Sequence, residues 1–167
     1  MVEQQEASED AVMTRIGQAV MLLHGGDREE ARNRFGLLWS ELGADGDALH
    51  RCTLAHYMAD TQDDPGDELA WDLRALTAAE GLMGGDQPAE HRESLAVQAL
   101  YPSLHLNLAA DYLKLQRPDA ARIHLRQARD AADTLEDGGS GPQGAHSGYD
   151  GGVRAAIELL ELRMRGM

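Results

Sequence analysis

Four residues in one short stretch could do chemistry: His50, Cys52, His56 and Asp60. Cys52, His56 and Asp60 step by four, so a helix sets them on one face. Thiolate and imidazole ligands at that spacing can hold zinc. A structural zinc site takes four ligands, and neither a second cysteine nor a tight histidine pair supplies the rest. The expected arrangement is therefore a half-buried thiol beside a surface histidine, with no metal. A metal- or small-molecule-responsive sensor built on this face is the alternative.

A second acidic stretch, Asp60, Asp63, Asp64, Asp67 and Glu68, looks briefly like a calcium loop. It lacks the glycine and the closing glutamate that an EF-hand needs. Asp63 or Asp64 as the N-cap before Pro65, with Asp67 and Glu68 in the first turn, accounts for these residues without metal. None of the six serines sits in a Gly-x-Ser-x-Gly elbow. The glycine-rich stretch after Gly138 is not followed by the Lys-Ser/Thr of a phosphate loop. The chain is therefore read as a non-enzyme with no cofactor.

The elements that hold these residues are helices. Ala and Leu dominate the 167 residues, while Val, Ile, Thr and Phe are sparse and aromatics make up 4%. That balance favours helix over sheet. With a net charge of −14 the chain repels nucleic acid and anionic membranes, and a basic or amphipathic protein is the best charge match for a partner. A lone cysteine excludes an internal disulfide and fits a reducing compartment. Residues 1–10 are acidic and polar, unlike a secretory leader, and no long apolar run is present. Cytoplasm is the expected location. Among 15 basic residues only Lys114 is lysine, and this bias points to a GC-rich bacterial genome of actinobacterial character.

Periodicity of 3.6 with Gly, Asp and Pro punctuation predicts about seven helices. An acidic, disordered segment covers 1–9. Hairpins follow at about 10–43, 47–81 and 89–136, then a flexible linker at 137–152 with seven glycines between Gly138 and Gly152, then a capping helix at 153–167. Asp27 with Glu30 reads as a capping box for the second helix, whose buried face is Ala31, Phe35, Leu38 and Leu42. The fourth helix has its stripe at Leu69, Leu73 and Leu76, and Gly81 to Pro88 reads as a loop. Pro102 predicts a kink or break near Leu100. Trp39 and Trp71 fall on second helices, where they would bury against the next hairpin.

Leu104 to Ala128, LHLNLAADYLKLQRPDAARIHLRQA, resembles the tetratricopeptide repeat (TPR). Leu108, Ala109 and Tyr112 stand at the first-helix positions, and Ala121, Leu125 and Ala128 at the second-helix positions. Gly26, Asp27, Ala31 and Phe35 repeat part of the pattern, with Leu38 where a small residue belongs. A third, weaker match lies in Asp47 to Gly81. Ala31, Ala70 and Ala121 are 39 and 51 residues apart, against about 34 for this repeat, so the family would be represented in a divergent form. The resemblance implies an all-α fold of three stacked antiparallel hairpins plus the C-terminal cap.

It also implies a role. First helices of TPR hairpins line a concave groove that takes a peptide or helix of another protein. Here His56 and Asn107 would occupy equivalent groove positions, flanked by Cys52 and Asp60 and by Ala110 and Lys114. Asn107 would hydrogen-bond a peptide backbone. The expected function is an adaptor or scaffold that binds protein, not nucleic acid or membrane. Self-association into a homo-oligomer is a further alternative.

Overall fold

A computed structural model describes residues 2–84, 91–138 and 147–167, with side chains over 11–82, 96–135 and 152–167. The fold is all-α, and the described residues form seven helices and no strand. No helix among them is long and apolar enough to cross a membrane. In order they are α1 (Val2–His24), α2 (Arg28–Leu42), α3 (Ala48–Ala59), α4 (Pro65–Gly84), α5 (His91–Lys114), α6 (Pro118–Gly138) and α7 (Ser147–Arg165). They divide into two compact units, Met1–Gly84 and Gly85–Met167.

Several boundaries differ from the sequence expectation. Helix α1 begins at Val2 rather than near Asp10, so the segment expected to be disordered is helical. No Gly or Pro interrupts that stretch, and residues such as Glu, Gln and Ala favour helix. Helix α4 runs through Gly81 to Gly84; the rest of the expected loop lies outside the described residues. Helix α5 runs unbroken through Pro102. The proline removes one donor from the carbonyl of Gln98; Gln98 itself is exposed, while Pro102 is buried. The expected linker at 137–152 falls partly on 139–146, outside the described residues. Helix covers its two ends, with α6 reaching Gly138 and α7 starting at Ser147.

In the first unit α1 pairs with α2 and α3 pairs with α4, and α3 also packs on both α1 and α2. Ile16, Ala19, Ala31, Phe35, Leu38, Leu54 and Met58 form its core. Phe35 stacks on Tyr57 at 6.1 Å between centroids. The α4 stripe is a correction. Leu73 is 38% exposed, while Asp72, Ala75 and Ala79 are buried. Alanines on that face let α4 approach α3 closely, and the larger leucine rides outward. Trp39 and Trp71 meet edge to face at 5.1 Å, and Arg51 and Arg74 each cover one indole at 4.4 Å. Arg28 ties the start of α2 to the end of α3. It donates to the carbonyls of Asp60 and Gln62 and to the Asp63 carboxylate at 2.6 Å.

In the second unit α5 and α6 form a hairpin, and α7 packs on both. Ala109, Ala121, Leu125, Ala128, Ile157, Leu160 and Met164 make this core. Ala109 and Ala121 have no exposed surface. Two alanines on facing helices set the closeness of α5 and α6, so a larger side chain at either would force them apart.

The turns of α1/α2 and α5/α6 are built alike. Asp27 N–H donates to Leu22 C=O at 2.9 Å and Gly26 N–H to Leu23 C=O at 3.2 Å. Ninety residues on, Arg117 N–H donates to Tyr112 C=O at 2.8 Å and Gln116 N–H to Leu113 C=O at 3.0 Å. Both are Schellman caps, which require a left-handed residue just past the helix. Gly26 has φ +93°, and Gln116 has φ +59°. The entry to the next helix differs. Asp27 accepts from Glu30 N–H at 3.4 Å, whereas at the second turn Pro118 opens α6 with no donor to satisfy. Only half of the expected capping box forms, because Glu30 binds Arg34 instead. Gln116→Gly is expected to stabilise the protein by about 0.5–1 kcal/mol in chemical denaturation, and Gly26→Ala to destabilise it by about 1 kcal/mol.

Candidate functional site

The residues singled out in sequence fall into two sets, one in each unit. Cys52 and His56 lie on α3, with Asp60 as its C-cap. Cys52 is fully buried, and burial pushes its thiol up to about 12. Its side chain presents no surface to a partner, so Cys52 is withdrawn from the binding surface. His56 is largely buried, its Nδ1 4.0 Å from the Asp72 carboxylate. Burial lowers its pKa, partly offset by Asp60. Asp60 is exposed. On α5, Asn107 and Ala110 are half-buried and Lys114 is exposed.

Two residues of the acidic stretch have local structural roles. Asp64 accepts from Asp67 N–H at 3.0 Å and so caps α4, and Asp63 pairs with Arg28 and Arg32.

Sequence reading missed two features of the second unit. The first joins α5 to α6. His105 Nδ1 lies 3.1 Å from His124 Nδ1. The ring centroids are 5.4 Å apart with planes 22° from parallel. That separation exceeds the N···N distance by about two ring radii, so the nitrogens face each other along the line between the rings. This is an in-plane N–H···N hydrogen bond between two neutral imidazoles, one donating and one accepting. Tyr101 lies nearly parallel to His105, and Tyr112 to His124. A spacing of 19 residues across a turn gives no local signature of such a pair.

The second is a cleft of about 330 Å³ between α6 and α7. Leu125 and Met164, core residues 6% and 5% exposed, show only their edges at its floor, and Arg122, Arg126, Arg129, Glu161 and Arg165 form its walls. Arg129 Nε donates to Glu161 at 3.0 Å, and Arg122 pairs with Asp119 at 3.2 Å. Arg126 and Arg165 are exposed, and neither takes part in an ion pair among the described residues. Four of the 15 basic residues of a chain with net charge −14 thus line one cleft, which makes it a local reversal of the chain's charge. Arg122, Arg126 and Arg129 sit at i, i+4 and i+7, one face of α6.

A cleft in the first unit, between α1 and α2, is about 450 Å³ and is lined by Gln18, Met21, Leu22, Gly25, Asp27 and Arg34. Both of its charged groups are engaged, Arg34 by Glu30 and Asp27 by the start of α2. It offers no uncompensated charge to orient a ligand.

Comparison with known proteins returns no match: no family model fits the chain, and neither a curated protein nor a solved structure is similar to it.

The histidine pair makes stability pH-dependent. Burial, and then the neighbouring His124, pull His105 down to about 4 from an ordinary value of 6.5, and burial lowers His124 as well. Both pKa values are lower folded than unfolded, so below 6.5 the unfolded chain takes up protons first. The stabilisation is complete above 6.5 and fades as pH falls through about 4. Relative to His105→Phe, the wild type should lose about 2 kcal/mol more between pH 7 and pH 4 in denaturant titrations. Parallel pH profiles for the two proteins would contradict this.

Proposed function

We propose that this chain is a protein-binding helical module that holds a segment of another protein against its second unit. The observation that carries the reading is the α6/α7 cleft, with its apolar floor and two arginines that lack an ionic partner among the described residues. Specific interfaces combine a desolvated apolar centre with a polar rim, and arginine is enriched in them. The resemblance of Leu104 to Ala128 to a TPR hairpin supports the same class, because the hairpin supplies one of the two walls. Output would come from the partner brought to this surface or displaced from it.

Asn107 and Lys114, both on α5 of the second unit, remain a separate binding proposal. Partner capture distinguishes the two. Wild type, Arg126→Glu/Arg165→Glu and Asn107→Ala/Lys114→Ala are compared as baits. The arginine pair is expected to lose the partner recovered by wild type, while the Asn107/Lys114 pair retains it. Equal recovery by wild type and the arginine variant would refute the cleft.

A further inference from the structure

The α6/α7 cleft constrains the chemistry of what it binds, on the reading that it is a binding surface. The two walls run antiparallel: Arg129 pairs with Glu161, and Asp133 pairs with Arg154. Later residues of α6 therefore meet earlier residues of α7, which sets Arg165 towards the Arg122 end. From Arg122 to Arg129 the cleft spans about 10 Å, or two helical turns. Its walls are helices, whose backbone donors and acceptors are already spent within each helix. An extended peptide laid there would find no main-chain partner for its own N–H and C=O groups. A helix satisfies its backbone internally and can seat an apolar ridge between α6 and α7.

The rim fixes the charge. Arg126 and Arg165 present two planar donor forks beside the apolar floor, a geometry suited to carboxylates. A polyanion such as nucleic acid would meet the same arginines but also the field of a chain carrying −14. A short segment with a few carboxylates avoids most of that repulsion. We propose that the cleft receives an acidic amphipathic helix of another protein, its apolar ridge on Leu125 and Met164 and its carboxylates on Arg126 and Arg165. This partner is acidic, opposite to the basic one that overall charge predicts.

The test uses the full chain and two synthetic peptides of about 20 residues, both with leucines at i, i+3, i+4 and i+7. One carries glutamates beside the stripe, and its twin carries lysines. A labelled single-stranded DNA and a matching RNA are the third and fourth probes. Fluorescence anisotropy should show saturable binding of the acidic peptide, with a gain in helix by circular dichroism. Affinity should fall about tenfold in Arg126→Glu/Arg165→Glu and should weaken as salt is raised. The lysine twin should bind that variant better than it binds wild type. Both substitutions are on exposed side chains, and an unchanged melting curve confirms that the variant folds.

Equal binding of both peptides, binding of the oligonucleotides alone, or no peptide binding overturns the proposal. Concentration-dependent self-association that Arg126→Glu abolishes also overturns it, since the occupant is then a second copy. If capture of a cellular partner depends on the two arginines while the acidic peptide fails to bind, the cleft stands as a binding surface and only the partner chemistry falls.

Discussion

Two helices can approach only as closely as their facing side chains allow, and in this protein alanine sets that limit. Ala109 and Ala121 make the seam of α5 and α6, and Ala75 and Ala79 lie on the buried face of α4. Close approach lets large neighbours such as Leu104, Leu108 and Leu54 fill the remaining space completely. With aromatics at 4% of the chain, little else could fill a wider gap. The placement of α7 follows from the same constraint. Its ridge of Ile157, Leu160 and Met164 reaches the core beside Ala121, Ala128 and Ala132 because α5 and α6 are already close.

The repeated turn shows one backbone solution reached with different residues. At the first, glycine supplies the left-handed residue and aspartate caps the next helix. At the second, glutamine takes the left-handed position and proline begins the helix. The main-chain hydrogen bonds are the same, and Ala31, Phe35 and Leu38 lie as far past the first turn as Ala121, Leu125 and Ala128 lie past the second. All six are buried. Periodicity and punctuation made these positions legible, because each residue's environment is fixed by neighbours close in sequence.

What could not be read depends on pairs distant in sequence. The His105–His124 hydrogen bond needs the rotation of two helices about their axes, which no local spacing encodes. The spacing of the α6 arginines says nothing of a shared cleft until α7 is placed beside them and brings Arg165. Cys52 was misread for a related reason. Its step of four to His56 and Asp60 is correct for a shared helix face, but that face turns from buried to exposed along α3. Leu73 stands outside the buried stripe of α4 because small residues, Ala75 and Ala79, define it. The TPR resemblance rests on those same local positions, and it speaks to packing more directly than to what is bound.

The contact between Trp39 and Trp71 has a spectroscopic consequence. They are the only two tryptophans in the sequence, and both lie in the first unit. Their indoles touch each other, and each is covered by a guanidinium, so emission and exciton-coupled near-ultraviolet signals originate from α2 and α4 together. Tyr101 and Tyr112, by contrast, lie in the second unit. A fluorescence trace and a far-ultraviolet trace of this protein therefore observe different portions of the chain, and their coincidence or divergence reports whether the two units unfold as one.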